Sequence, residues 1–255
     1  MTIDLSGRAA LVTGASRGIG RAIAAALAQA GADVVLHHSG RDADRAARVA
    51  SDIGAMPLAA DLADADAAAS LWDRALAVYG RIDTVVANAG VFETAPLDAP
   101  TADWMASWQR TLAINLTAPG LLLRAAACHA AALRDGGAEG VVLRAITVSS
   151  RAAFRGDEAE HLAYAASKGG LVALTKSVAR RCPGVAAFGI APGFTVTDMA
   201  AADLARRGDV LLAETALDAL ATPDDVAPLA VLFASGLADH ATGTTVDVNG
   251  ASFVR

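Results

Sequence analysis

The stretch Ala9-Ala10-Leu11-Val12-Thr13-Gly14-Ala15-Ser16-Arg17-Gly18-Ile19-Gly20 decides how this chain is read. Ala9–Thr13 is a short apolar, β-branched run, long enough for a buried strand and too short for a helix. Glycines at 14, 18 and 20 follow, and an alanine-rich helical pattern begins at Ile19. Glycine lets the backbone turn tightly and approach a ligand closely. The start of a helix then offers free N–H groups and the positive end of a dipole, which together suit a pyrophosphate. The spacing is G-x-x-x-G-x-G rather than the G-x-G-x-x-G of the common dinucleotide fingerprint. Gly14, Ser16, Arg17, Gly18, Ile19 and Gly20 are therefore the first candidate ligand contacts.

The same alternation continues to the C-terminus. Apolar runs at Ala9–Thr13, Ala32–Leu36, Ala55–Ala59, Ile82–Ala87, Val141–Val148, Val185–Ile190 and Thr244–Val248 read as strands. Segments with helical periodicity lie between them at Ile19–Ala30, Asp42–Ile53, Asp64–Tyr79, Ala102–Leu133, His161–Arg181 and Pro223–Ala234. Strands alternating with helices imply a parallel sheet covered on both faces. With right-handed crossovers, seven strands make a doubly wound α/β sheet, a Rossmann fold. Gly31 stands where a left-handed residue ends the first helix. Thr222-Pro223 reads as a helix cap and first turn, with Asp224 and Asp225 at the positive end of the dipole. Gly136–Gly140 reads as a surface loop. Phe194–Leu220 follows Pro192-Gly193 and has weak, charge-interrupted periodicity, so it is expected to form short mobile helices that close over a pocket.

Length and composition bound the function classes. The 255 residues fit one large α/β domain, expected to span 1–255 with the lid near 194–220. A net charge of −6 disfavours nucleic acid and anionic membranes as main partners. Only Cys128 and Cys182 occur, in no metal-ligand spacing, so no metal site and no disulfide framework are expected. No basic segment followed by an apolar run opens the sequence, and no run of about 18 uninterrupted apolar residues occurs. A cytoplasmic protein without a membrane span is the expectation.

Two further patterns carry chemistry. Tyr164 and Lys168 are four apart in a helical segment, which puts both on one face with Cβ atoms about 5–6 Å apart. A neighbouring ammonium favours phenolate, so the pair is expected to bring a phenol down from about pH 10 towards neutrality, as a proton donor and acceptor. The end of the second strand should report the nucleotide: a carboxylate there holds a ribose 2′-hydroxyl, a cation a 2′-phosphate. Val34-Val35-Leu36-His37-His38-Ser39-Gly40-Arg41 holds no carboxylate. Arg17 and Arg41 can reach a phosphate and His38 or Ser39 can hydrogen-bond it, so NADP is expected as the preferred cofactor, with NAD possible.

These motifs, in this order, resemble the short-chain dehydrogenase/reductase family in its compact single-domain form. Asp61-Leu62 resembles the segment that contacts adenine. Ala87-Asn88-Ala89-Gly90 resembles the motif closing the fourth strand, with Ala87 in place of an asparagine. Asn115 stands where the family has a catalytic asparagine, and Val148-Ser149-Ser150 resembles its serine motif. Pro192-Gly193 and Thr242-Gly243 with Asp247–Gly250 match the last two strands. The resemblance implies that Tyr164 protonates a carbonyl oxygen or deprotonates an alcohol. Lys168 would lower the Tyr164 pKa and bind the nicotinamide ribose. Ser150, favoured over Ser149 by its spacing to the tyrosine, would polarise the substrate oxygen. Asn115 would anchor a water in a proton relay. Asn88, Ala89, Gly90, Pro192, Gly193, Thr195 and Thr197 would shape the cofactor pocket.

The closest likeness is to 3-oxoacyl-(acyl-carrier-protein) reductases, and it weakens in the substrate regions. The polar-basic sequence those enzymes carry after Gly90 is replaced by Val91-Phe92-Glu93-Thr94-Ala95-Pro96, and Phe188 replaces an asparagine common in the family. The implied activity is NADP-dependent hydride transfer between nicotinamide and a carbonyl or secondary alcohol, with a small-molecule substrate that is thioester-linked in the 3-oxoacyl reading. The alternatives are an NAD-dependent sugar- or steroid-type alcohol dehydrogenase and a nicotinamide-sensing regulator without turnover. A homotetramer is expected, with Ala102–Leu133 and His161–Arg181 packing across two-fold axes.

Overall fold

The computed structural model describes residues 2–138, 140 and 142–255. Val141, where the sequence opens the fifth strand, and Glu139 in the loop before it lie outside the described residues. The strands are β1 (Ala9–Val12), β2 (Asp33–His38), β3 (Met56–Ala59), β4 (Thr84–Ala87), β5 (Leu143–Val148), β6 (Val185–Pro192) and β7 (Thr245–Val248). They form one parallel sheet in the order β3-β2-β1-β4-β5-β6-β7. Strand order reverses between β1 and β4, and a crevice opens there at the C-terminal strand ends.

Both faces of the sheet are apolar, which is why its central strands show no polar alternation. Successive residues point to opposite faces. Val12, Leu36, Val86, Ile146 and Phe188 pack on one side with α1 (Gly18–Gln29), α2 (Ala43–Ile53) and α9 (Pro223–Ser235). Leu11, Val35, Val85, Ala145 and Ala187 pack on the other with α3 (Ala65–Tyr79), α5 (Ala118–Asp135) and α7 (Leu162–Arg181). Phe188 stacks on Phe233 of α9 with ring centroids 4.4 Å apart, so the residue that replaces the family's asparagine is a fully buried core anchor.

The long segment expected as one helix, Ala102–Leu133, is instead interrupted. Helix α4 (Thr101–Leu112) passes through a π-helical turn, Ala113–Thr117, into α5. Thr101–Asp135 is long and apolar enough by length and composition to cross a membrane. Leu122, Leu123, Ala126 and Ala130 of its second half are buried against the sheet, as in the core helix of a doubly wound fold. A short helix α6 (Ala152–Arg155) follows β5. Helix α8 (Ala201–Ala213) lies in the segment expected to form short helices, and its backbone is kinked at Arg207.

Candidate active site

The strand-to-helix turn is built for an anion. Arg17 precedes α1 in extended backbone and makes no side-chain cap, and no acidic residue lies in the first turn of the helix. The first N–H groups of a helix have no partner within it. Gly14 (φ +65°) and Gly18 (φ +54°) sit in the left-handed region that glycine adopts without strain. A Cβ on Gly14 would stand 2.8 Å from Ala89 Cα, and one on Gly20 would overlap the Gly14 carbonyl oxygen. The loop is therefore packed against the end of β4. There Thr13 Oγ1 accepts the N–H groups of Asn88 (2.9 Å) and Ala89 (3.0 Å), and Asn88 Nδ2 donates to the Thr13 carbonyl at 2.8 Å.

His37 is a support that sequence reasoning missed. Its Nδ1 accepts the Gly14 N–H at 3.1 Å, which leaves Nε2–H to donate to the Ala60 carbonyl at 3.0 Å. Burial pushes its pKa down to about 4, so the ring is neutral and holds the glycine loop to the end of β3. No spacing in the sequence marks a histidine as a loop tie. The signal was only its place one residue past Leu36.

A cleft of about 500 Å³ runs from this turn across the C-terminal strand ends. All of the expected cofactor contacts line it: Gly14, Ser16, Arg17, Gly18, Ile19 and Gly20; His38, Ser39 and Arg41 after β2; Asp61 and Leu62 after β3; Asn88, Ala89 and Gly90 after β4; and Pro192, Gly193, Thr195 and Thr197 after β6. Tyr164, Lys168 and Ser150 line it from the other side. Asp42 also reaches the wall, but its carboxylate caps α2, accepting the Arg45 N–H at 3.3 Å. The uncapped helix start, the glycine-lined close approach and the carboxylate-poor end of β2 fit a dinucleotide with a phosphorylated ribose.

The catalytic candidates divide into those on the wall and one behind it. Ser149 Oγ donates to the Lys168 carbonyl at 2.9 Å and is buried, whereas Ser150 faces the cleft and its Oγ accepts the Ala152 N–H at 3.1 Å. Lys168 is buried, and its Nζ donates to the Val148 carbonyl at 2.8 Å. Asn115 is fully buried in the π turn and does not reach the cleft. Its Oδ1 accepts the Val91 N–H at 2.8 Å; its Nδ2 donates to the Val91 carbonyl at 3.0 Å and to Ser167 Oγ at 3.2 Å. Both protons of the amide are thus engaged, and the side chain clamps the backbone after β4. This clamp is a positioning role for the Asn115 side chain, additional to the relay water that the resemblance implies there.

The expected lowering of the Tyr164 pKa by Lys168 is corrected. Burial pushes the phenol up to about 12, the Ser150 hydroxyl opposes that rise and Asp157 adds to it. Burial likewise pushes Lys168 down to about 8. Lys168 Nζ lies 5.7 Å from the centroid of the Tyr164 ring and turns its proton to a carbonyl. Desolvation of both groups outweighs the attraction that the sequence spacing suggested.

The substrate end of the cleft is aromatic and basic. Phe92 stacks on His161 (centroids 3.9 Å apart) and meets the Tyr164 ring edge-on at 4.8 Å. Arg151, unremarked in the sequence, is buried one residue beyond Ser150. Among the described residues no group of three or more His, Cys, Asp or Glu side chains is placed to hold a metal ion.

The chain resembles known proteins over almost its whole length. A family described as enoyl-(acyl carrier protein) reductase matches residues 14–251. The chain is 35% identical over 248 residues to cis-4-hydroxycyclohexanecarboxylate dehydrogenase of Sinomonas cyclohexanicum, covering 95% of each chain. It is 30% identical over 261 residues to a 3-oxoacyl-(acyl-carrier-protein) reductase of Aquifex aeolicus, covering 99% of this chain and 100% of the other. A short chain dehydrogenase from Burkholderia cenocepacia, solved in complex with NADP, superposes with a TM-score of 0.86 at 34% identity, covering 97% and 98% of the two chains.

Proposed function

This chain belongs to the short-chain dehydrogenase/reductase family of oxidoreductases acting on CH–OH groups, and from that premise we propose that it is an NADP-preferring dehydrogenase of a secondary alcohol, or reductase of the corresponding ketone. The observation that carries this reading is one wall of the cleft holding Ser150, Tyr164 and Lys168, opposite a helix N-terminus without a cap. The glycine turn and the chain after β2, β4 and β6 would hold a nicotinamide nucleotide, which would supply or accept the hydride. Tyr164 exchanges a proton with the substrate oxygen, and its raised pKa keeps it protonated at neutral pH, ready to donate during reduction. Ser150 donates a hydrogen bond to the same oxygen. Lys168 lies behind the phenol with its amine at the Val148 carbonyl. Asn115 fixes Val91, and so the chain after β4 that lines the cleft.

Arg17, His38, Ser39 and Arg41 are the proposed 2′-phosphate contacts. Arg17 is 59% exposed at the cleft mouth, which leaves its guanidinium free to turn to a phosphate. The segment 194–220 is the proposed lid. It begins and ends at one place: Thr195 bridges Ala221, and the Val196 N–H donates to the Ala221 carbonyl at 2.9 Å, so the span between is hinged at a single base.

The 3-oxoacyl-thioester activity is the narrower reading, and the resemblance to the Aquifex aeolicus reductase supports it. The departures after Gly90 favour a small free alcohol instead. A panel of cyclic alcohols, polyols, ketones and acetoacetyl thioesters, followed by nicotinamide absorbance with each nucleotide, decides between them. Tyr164→Phe is expected to lower kcat by at least about 10³-fold while leaving NADP affinity within about threefold. Full turnover in that variant would overturn the assignment.

A further inference from the structure

Arg151 follows Ser150 directly and lines the same cleft. Its backbone N–H donates to the Pro192 carbonyl at 3.0 Å, which fixes its place between β5 and β6. The side chain is 5% exposed and lies against the face of Phe194, 5.1 Å from the ring centroid. A guanidinium has five N–H donors in a rigid fork. Nη2 of Arg151 is enclosed and has no hydrogen-bond partner. Glu214 Oε2 comes within 2.8 Å of it, outside hydrogen-bond geometry, from a rim position that is 36% exposed. A buried cation with unused donors is costly unless an acceptor completes it.

The other charges at this end are engaged elsewhere. Arg110 Nε donates to Glu93 at 2.8 Å. Asp203 is held by Arg206 at 2.7 Å and faces Arg207 at 3.5 Å. Asp157 accepts the Glu158 N–H at 2.9 Å. Arg155 is exposed on the same wall and adds positive charge.

Resting on the function proposed above, we infer that the substrate is a hydroxy acid, or the matching oxo acid, whose carboxylate is bound by Arg151. A carboxylate fits the guanidinium fork with two parallel hydrogen bonds. It replaces Glu214 one charge for one, and Glu214 on the rim turns into water at little cost. A monoanion is the better match than a phosphate dianion, because one buried guanidinium offers a single positive charge and Asp157 and Asp203 line the same cleft.

The test separates binding from chemistry. Calorimetry on NADP-saturated enzyme compares cyclohexanecarboxylate with cyclohexanecarboxamide, neither of which has an oxidisable hydroxyl. The carboxylate is expected to bind about 10- to 100-fold more tightly, the range of a charge-assisted hydrogen-bonded pair. Arg151→Gln is expected to bring the ratio close to one, and Arg151→Lys to restore part of it. Glu214→Gln keeps an amide oxygen as an acceptor beside Nη2 while removing the competing charge, and is expected to tighten the carboxylate severalfold. Equal affinity for the two compounds, no binding of the acid, or a ratio that survives Arg151→Gln overturns the inference. Turnover of cis-4-hydroxycyclohexanecarboxylate against its methyl ester is read separately. Carboxylate-selective binding without nicotinamide-linked turnover of any alcohol or ketone sinks the proposed function alone. Turnover confined to neutral alcohols sinks the carboxylate assignment alone.

Discussion

Asn115 and Val91 are locked by a reciprocal pair of hydrogen bonds, 2.8 Å from the Val91 N–H to Asn115 Oδ1 and 3.0 Å from Asn115 Nδ2 to the Val91 carbonyl. The π turn makes this possible. One extra residue in the helical repeat carries Asn115 to the buried side, where an asparagine that fits poorly in an ordinary helix satisfies a strand end. Replacing Asn115 with Ala leaves two backbone groups of Val91 without their partner, at a cost of about 1–3 kcal/mol. The melting temperature should fall by roughly 2–6 °C for a chain of this size. Asn115→Ala should also lower kcat more than it raises KM, because Gly90 and Val91 shift at the cofactor-facing strand end. An unchanged melting temperature would show that the clamp carries no stability.

The cofactor preference is testable at single residues. Arg41 is exposed on the cleft and Arg17 stands 3.9 Å from Asp198, in a pair that is open to water and weak. Each is free to meet a 2′-phosphate. Arg41→Ala or Arg17→Ala should reduce kcat/KM for NADPH about tenfold and leave that for NADH within about threefold. Equal losses with the two nucleotides would move the phosphate site elsewhere, and a higher kcat/KM with NADH in the native enzyme would refute the preference.

Sequence and structure part company for identifiable reasons. The glycine turn was legible because three glycines between a strand and a helix leave few other conformations. Tyr164 and Lys168 were legible because helical geometry alone puts them together. The direction of the Tyr164 shift was not, since spacing reports proximity and says nothing about water lost from both groups. The π turn left no trace because the apolar pattern runs through it unbroken. Arg151 was passed over for a similar reason: an arginine after a serine motif reads as solvated, and only the covering Phe194 and Pro192 bury it.

Assembly should follow from the exposed side of the long helices. A third of the most apolar stretch within Thr101–Asp135 is buried, although its composition would suit an interior. The Trp104 and Trp108 rings stack at 5.1 Å on the half-buried surface of α4. These faces, with α7, are the proposed contacts of a homotetramer. Light scattering at micromolar concentration should give about four times the chain mass of 25.6 kDa. A monomeric mass would refute the tetramer and leave the cleft chemistry unaffected.

Lys168 makes the alkaline stability profile a test of the site itself. Its pKa is lowered from 10.5 to about 8 by burial. Between those values the native amine is neutral while the unfolded one is charged, so the unfolded state binds more protons and stability rises with pH. Two and a half pH units at 1.36 kcal/mol each amount to about 3 kcal/mol, absent below pH 8 and fully present above 10.5. Tyr164 acts with the opposite sign. Its pKa is raised from 10 to about 12, so the native state holds a proton that the unfolded state has lost, and stability falls from pH 10 to 12. The native protein should therefore be most stable near pH 10 to 10.5 as far as these two groups decide it. Lys168→Met removes the rising limb and keeps the falling one. Urea unfolding of both proteins at pH 8, 9 and 10.5 should show the native chain gaining about 3 kcal/mol on the variant across that interval. Parallel stability curves would mean that the amine is hydrated in the folded protein, and that its place beside the phenol is not the desolvated one on which the proton chemistry rests.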